Sequence, residues 1–177
     1  MQPIFLIGYM GCGKTTLGRS LAAATGMQFI DLDQYIEGRF HSSVSQLFAD
    51  RGEDGFRDIE RRMLHEVAEF EDVIVACGGG TPCFFDNMDY MNSSGLTVHL
   101  TASLDCLHSR LMRGRTKRPL IAGKSDEELR AFITEALDKR MPFYSKAAET
   151  FESDRLENRS EIGTTASQFI NRFITAK

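Results

Sequence analysis

Short apolar segments alternate along this chain with longer amphipathic ones. Runs of apolar and β-branched residues lie at positions 4–7, 28–31, 73–77, 96–100 and 149–152. Runs of this length, with little polar alternation, are typical of strands that are covered on both faces. The pattern therefore predicts five short, buried β-strands.

Between the short runs, apolar residues recur at helical spacing. Three such stripes are clear: Phe56, Ile59, Met63, Val67 and Phe70; Leu129, Phe132, Ile133, Ala136 and Leu137; Ile162, Ala166, Phe169, Ile170 and Phe173. Ser125, followed three residues later by Glu128, is a capping-box pattern at the start of the second stripe. The alternation predicts an α/β fold, a parallel sheet with helices on both faces, and a ligand site at the carboxyl ends of the strands.

Composition narrows the class of protein. A chain of 177 residues that is 42% hydrophobic suits one core, so residues 1–177 are interpreted as a single domain. The net charge of −4 argues against a nucleic-acid partner. Because no signal, long apolar span or anchor pattern is found, we expect a cytoplasmic protein with no membrane partner. We also expect the protein to be a monomer. The four cysteines and four histidines lack zinc or C-x-x-C spacing, which predicts reduced thiols and no structural metal.

The strongest motif follows the first predicted strand. Residues 8–15 read Gly-x-x-x-x-Gly-Lys-Thr and lead into the helical pattern of Leu17 and Leu21. In this context the glycines let backbone N–H groups surround a phosphate, Lys14 adds a positive charge, and the Thr15 hydroxyl is placed to bind Mg²⁺. A glycine-rich turn that only packs is the alternative, and the flanking strand and helix argue against it.

An acidic pair and then an arginine with an acidic neighbour come next in the chain. Asp31 and Asp33 end the second predicted strand, where residues two apart in extended chain face the same side. They could serve a metal's water shell and a hydroxyl acceptor, or simply cap the following helix. Arg57 lies beside a core stripe with Glu60 at i+3, which fits either a surface ion pair or a guanidinium held ready for a carboxylate.

Three further segments carry candidate chemistry. Gly78, Gly79 and Gly80 follow a buried strand and allow a close approach of backbone to ligand, although a turn would need one or two of them. Residues 110–124 are basic and break helical periodicity, which fits a solvated loop or a mobile segment that closes over phosphates. Arg140, near a helix end, could bind a ligand or satisfy the last carbonyls.

Taken together, these motifs resemble those of the shikimate kinase family across residues 8 to 144. The resemblance rests on G-x-x-G-x-G-K-T-T, D-L-D, G-E-x-x-F-R, G-G-G, R-x-x-x-x-x-x-x-R-P-L and R-x-P-x-Y, in that order. It implies a three-layer P-loop kinase fold with a five-stranded parallel sheet and a mobile lid at about residues 112–125. It also implies transfer of the ATP γ-phosphate to the 3-hydroxyl of shikimate, giving shikimate 3-phosphate and ADP.

The resemblance also implies roles for individual residues. The ATP phosphates would meet Lys14, the lid arginine Arg118 and the loop residues Gly11, Cys12, Gly13, Thr15 and Thr16. Mg²⁺ would meet Thr15 directly and Asp31 through its outer shell. Shikimate would meet Asp33, which would bind its hydroxyls and act as the base, together with Arg57, Arg140, Gly79 and Gly80. Arg110 lies where the family stacks on adenine.

Two departures from the family pattern concern the metal and the nucleotide. Cys77 stands where the family often has Thr or Ser, and Ala76 beside it has no hydroxyl, so a metal-bound water could lose a partner. Residues 153–159, where the family closes over adenine, match no motif closely.

Cys12 is a feature outside the resemblance. Its place beside Lys14 and a helix N-terminus favours a reactive thiolate, whereas burial would make it a small inert residue.

Two alternative functions stay open at this point. One is another small-molecule kinase on the same scaffold, such as a gluconate or nucleoside-monophosphate kinase, against which the two carboxylate-binding arginines argue. The other is a nucleotide-dependent switch or a catalytically inactive nucleotide-binding module. The guanine motif N-K-x-D is absent, and Lys14 and Asp33 are both retained, which argues against that class.

Overall fold

The structure, a computed structural model, describes residues 1–114, 121 and 123–175. Five strands form one parallel sheet: β1 Ile4–Ile7, β2 Gln28–Asp31, β3 Val73–Ala76, β4 Leu96–Thr101 and β5 Glu149–Glu152. Seven α-helices lie in the described ranges: α1 Lys14–Thr25, α2 Leu32–Phe40, α3 Val44–Ala68, α4 Asn87–Ser94, α5 Leu104–Arg113, α6 Asp126–Tyr144 and α7 Arg159–Phe173. The predicted strands are confirmed to within one residue at each end. The expectation that all five are buried is wrong for β2 and β5, because these two lie at the edges of the sheet and are partly exposed.

The strand order β2-β3-β1-β4-β5 explains where the helices lie. The crossover from β1 to β2 runs in one direction along the sheet, whereas every later crossover runs in the other. Right-handed crossovers that run in opposite directions cover opposite faces. Helix α1 is therefore on one face, where α7 packs against it, and the helices between β2 and β5 are on the other. This confirms the three-layer α/β arrangement.

The sheet is the centre of the core. All four residues of β1 are at most 2% exposed, because the strand lies between β3 and β4 and is covered on both faces. At the β5 edge, Phe151, Phe169 and Phe173 pack edge to face against one another. The connections that leave β1 and its neighbour β3 run in opposite directions along the sheet, so these two strands end at a switch point, where open parallel sheets bind ligands.

Local sequence explains most helix boundaries. Ser125 accepts a hydrogen bond from Glu128 N and Glu128 returns one to Ser125 N, so the predicted capping box at α6 is confirmed. Within α3 the backbone is non-helical at Gly52, whose φ of 68° suits glycine.

Helix α5 extends to Arg113, so the start of the basic segment at 110 is helical, contrary to the predicted break in periodicity. Arg118 and the lid residues 115–120 and 122 lie outside the described residues.

Candidate active site

The loop between β1 and α1 forms the floor of a cleft. Gly8, Gly11 and Gly13 have φ values of 140°, 84° and 101°, a region that L side chains rarely adopt. A Cβ atom at Gly8 would lie 2.6 Å from the Leu100 carbonyl oxygen. Lys14 folds back over the loop, and its Nζ donates to the carbonyls of Gly8 at 2.7 Å and Tyr9 at 3.0 Å. The loop is thus a curved, closely packed backbone segment at the N-terminus of α1.

Two side chains from distant segments hold this loop. Arg110 donates to the Gly11 carbonyl at 3.2 Å, and the same guanidinium also binds the Glu157 carboxylate and the carbonyls of Ser153 and Asp154. The hydroxyl of Ser153 is 2.6 Å from the Cys12 carbonyl oxygen. Residues 153–157, for which the sequence pattern named no contact, therefore form one wall of the loop.

Asp31 serves two neighbours at once. Its Oδ2 accepts a hydrogen bond from the Thr15 hydroxyl at 3.0 Å, and its Oδ1 accepts one from Gln34 N at the start of α2. Both of the roles considered for it, helix cap and neighbour of the predicted metal ligand, are compatible with this position. Asp33 lies in the first turn of α2 rather than in extended chain, yet it lines the same cleft.

The carboxyl group of Asp33 is strongly perturbed. Its pKa is raised to about 6, mainly by burial and also by the nearby carboxylates of Asp31 and Glu60, while Lys14 opposes the rise. A carboxylate with a pKa near 6 is ionised at neutral pH and is a stronger base than an ordinary aspartate. It is therefore suited to accept a proton from a hydroxyl group.

Arg57 is held by charge on one side and by rings on the other. Its Nη1 is 2.8 Å from Glu60 Oε2, and Glu60 Oε1 accepts a hydrogen bond of 2.5 Å from the Thr81 hydroxyl. Glu60 is 1% exposed, so this is a buried ion pair rather than the surface pair considered from the sequence. The ring of Phe84 lies 4.0 Å from the Arg57 Cζ atom. The guanidinium is thereby fixed in one orientation.

The three glycines after β3 meet the two arginines. A Cβ atom at Gly80 would lie 2.8 Å from Arg57 Nη2, and one at Gly79 would lie 2.9 Å from Arg140 Nη1. Tyr144, one turn after Arg140, donates a 2.6 Å hydrogen bond to the Gly79 carbonyl. The guanidinium groups of Arg57 and Arg140 therefore occupy the space beside Gly80 and Gly79 that a side chain would fill. The backbone of these glycines is partly exposed.

The cleft has a volume of about 530 Å³. Most of the predicted nucleotide and metal residues line it, whereas Arg57, Gly80 and Arg140 do not. Arg140 lies against Gly79, which does line the cleft, and Arg57 lies against the next residue, Gly80. The lining residues include Gly11, Gly13, Lys14, Thr15, Thr16, Asp31, Asp33, Gly79, Arg110, Leu156 and Glu157. The structure thus brings the predicted site residues together, apart from Arg118, which is outside the described residues.

Cys12 in the loop and Cys77 in the cleft wall are both buried. Cys12 is 1% exposed, so the access that a reactive thiol would need is lacking, although its Sγ is 3.8 Å from Lys14 Nζ. The Sγ of Cys77 contacts the Met91 sulfur at 3.7 Å, and burial raises the pKa of this thiol. Cys77 therefore behaves as a core residue, and its thiol is kept in the neutral form.

Comparisons with known proteins identify the family of the chain. A model of the shikimate kinase family matches residues 10–171. A shikimate kinase from Phocaeicola vulgatus is 62% identical over 162 residues, which are 92% of this chain and 93% of that protein.

Two solved structures are similar over nearly the whole chain. The crystal structure of shikimate kinase from Bacteroides thetaiotaomicron has a TM-score of 0.93 at 51% identity and covers 97% of each chain. Shikimate kinase from Acinetobacter baumannii in complex with shikimate has a TM-score of 0.84 at 29% identity, covering 100% of this chain and 95% of that one. The chain belongs to the shikimate kinase family.

Proposed function

We propose that this protein transfers the γ-phosphate of ATP to the 3-hydroxyl of shikimate. The observation that carries the proposal is the pair of guanidinium groups of Arg57 and Arg140, each against a bare glycine, beside a carboxylate of raised pKa and a phosphate loop. Shikimate is a small carboxylate with several hydroxyls, so it offers one group for each of these features. Family membership supports the same reaction.

The nucleotide occupies the loop side of the cleft. Backbone N–H groups at the start of α1 bind phosphate oxygens, and the positive end of the helix dipole favours their charge. Lys14 leaves the carbonyls of Gly8 and Tyr9 and binds phosphate, because charged oxygens are better acceptors than neutral carbonyls. Arg110 and Glu157 border the position of the adenine. The family resemblance assigns Arg118, which is outside the described residues, to the phosphates as well.

The residues around Thr15 fit Mg²⁺. The ion prefers a few hard oxygen ligands and keeps several waters, and the Thr15 hydroxyl with the Asp31 carboxylate 3.0 Å away offers such a set. Thr15 would bind the ion and Asp31 would orient its water shell. When bound, Mg²⁺ would neutralise charge on the transferring phosphate.

Shikimate occupies the side formed by Arg57, Arg140 and the glycines. The two arginines bind its carboxylate, and Glu60 keeps the Arg57 guanidinium in place. Asp33 takes the proton from the 3-hydroxyl as the hydroxyl oxygen attacks the γ-phosphorus. The bond from that phosphorus to the β-γ bridging oxygen breaks, and ADP leaves.

The remaining expectations form part of the same proposal. We infer that residues 1–177 act as one domain and as a monomer in the cytoplasm, with no nucleic-acid or membrane partner. A net charge of −4 is consistent with a small-molecule enzyme rather than a nucleic-acid-binding one. None of the helices in the described part of the chain is long and apolar enough to cross a membrane. Light scattering on the purified protein tests the monomer.

A coupled ADP-release assay tests the function. Shikimate should support turnover, whereas gluconate, nucleoside monophosphates and the methyl ester of shikimate should not, because each lacks the carboxylate at the required position. Arg57→Lys and Arg140→Lys should each weaken the use of shikimate. Their matched control is Arg172→Lys, which changes an exposed arginine that pairs with Glu149 and does not line the cleft. If the methyl ester is phosphorylated as fast as shikimate, Arg57 and Arg140 do not bind the carboxylate. If gluconate is the best acceptor, the assignment of shikimate as the substrate is wrong.

A further inference from the structure

The peptide between Cys12 and Gly13 is held from behind the phosphate loop. The hydroxyl of Ser153 donates to the Cys12 carbonyl oxygen at 2.6 Å, and Ser153 is 0% exposed. The same hydroxyl is 2.9 Å from the Thr101 carbonyl, but that carbonyl already accepts the Ser153 N–H at 2.8 Å. The hydroxyl has a single proton, so it donates to the Cys12 carbonyl, which is the nearer of the two acceptors.

This contact fixes the direction of one N–H group. A trans peptide is planar, so its C=O and its N–H point in opposite directions. The Cys12 carbonyl points at Ser153, and hence the Gly13 N–H points away from Ser153. Gly13 lines the cleft and Ser153 does not, so the opposite direction is the cleft side. The hydrogen bond thus aims the Gly13 N–H at the position of the phosphates.

The loop needs such a restraint because glycine lies on one side of this peptide. Gly13 has a φ of 101° and no Cβ, so rotation of the Cys12–Gly13 peptide meets little local resistance. Rotation by half a turn would put a carbonyl oxygen, rather than an N–H, against the phosphates. A carbonyl there would repel the anion that the N–H binds.

We propose that Ser153 is a positioning residue for phosphate binding, acting through the Cys12–Gly13 peptide. The proposal rests on the proposed use of ATP. It also explains how the segment at 153–157 acts on both ends of the nucleotide, because Leu156 and Glu157 line the cleft on the adenine side while Ser153 holds the phosphate loop.

The test uses three ligands that separate the two ends of the nucleotide. Inorganic tripolyphosphate has phosphates alone, adenosine has the base alone, and ADP has both. In the Ser153→Ala variant, the Kd values for ADP and tripolyphosphate should rise about fivefold, the ratio that one neutral hydrogen bond can supply. The Kd for adenosine and the KM for shikimate should change less than twofold, and kcat should fall.

Thr165→Val is the matched control. Thr165 is also buried, and its hydroxyl donates a 2.7 Å hydrogen bond to the Arg155 carbonyl, so it holds the same segment without touching the phosphate loop. This variant should bind all three ligands as the unaltered protein does. Ser153→Thr keeps a hydroxyl and should bind tripolyphosphate more tightly than Ser153→Ala.

Three results would overturn the proposal. They are unchanged tripolyphosphate binding by folded Ser153→Ala, an equal loss of adenosine binding in that variant, or an equal loss of tripolyphosphate binding in Thr165→Val. Shikimate binding shows that the variant is folded. Failure of the proposed function is separate, because it would show as ADP binding without turnover of shikimate in the unaltered protein, and the ligand comparison would still decide the role of Ser153.

Discussion

Replacing Asp33 with asparagine should make the protein more stable while removing nearly all of its activity. The side chain keeps its size, but it loses the charge that burial and the carboxylates of Asp31 and Glu60 disfavour. It also loses the ability to accept a proton from the acceptor hydroxyl. A gain in stability together with a loss of turnover would mark Asp33 as a group whose position serves function at the expense of folding.

The size of the effect follows from the pKa. Folding raises the pKa of Asp33 from 3.8 to about 6, which corresponds to about 3 kcal/mol at about 1.4 kcal/mol per pKa unit. Between pH 4 and 6 the folded protein keeps a proton that the unfolded chain has released. The free energy of unfolding of the unaltered protein therefore falls as pH rises through this window, and the full penalty is present above pH 6.

Denaturant unfolding at several pH values measures the difference. The Asp33→Asn variant should match the unaltered protein near pH 4 and exceed it by up to about 3 kcal/mol at pH 8. The control Asp138→Asn removes an exposed carboxylate of α6 and should change stability by less than about 0.5 kcal/mol at either pH. Equal stability of the Asp33→Asn variant and the unaltered protein at pH 8 would refute the reasoning, as would a gain that does not depend on pH.

Further predictions concern the other charged residues of the cleft. Lys14→Ala should leave a folded protein whose turnover falls by about two orders of magnitude or more, because the charge on the transferring group is no longer neutralised; near-normal turnover in the coupled assay would contradict this. Arg57→Lys and Arg140→Lys should each raise the KM for shikimate about tenfold or more with ATP affinity nearly unchanged, since lysine cannot form the bidentate contact. A change mainly in the KM for ATP would instead indicate a phosphate role. Arg118→Ala should lower kcat more than it changes the affinity for shikimate. Steady-state kinetics with both substrates varied would instead show mainly a higher KM for shikimate if this arginine binds the acceptor. The acid limb of the kcat/KM profile should report an apparent pKa near 6, which Asp33 would supply.

Local patterns predicted the elements and most of the rim. The central strands β1, β3 and β4 are short and mostly buried, which their apolar composition marks to within a residue, and a parallel sheet then brings the carboxyl ends of all five strands to one edge. The Ser125–Glu128 capping box was predictable for the same reason, because its two hydrogen bonds join residues three apart.

Contacts between distant segments could not be predicted in this way. Ser153 and Cys12 are 141 residues apart, and Tyr144 and Gly79 are 65 apart, so no local spacing pairs them. The sequence also placed Asp33 in extended chain, whereas the Asp31 cap begins α2 one residue earlier. The N-cap preference of aspartate is the signal that could have corrected this.

The position of Lys14 affects which anions the phosphate loop accepts. Its ammonium group is already bound to the carbonyls of Gly8 and Tyr9, so any anion that enters must replace two hydrogen bonds before it gains the charge. A monovalent ion such as chloride offers one weak contact in exchange, whereas a polyphosphate offers several charged oxygens to the lysine and the backbone N–H groups together. The loop is therefore selective against the abundant small anions of its surroundings, because its own carbonyls compete with them for the lysine.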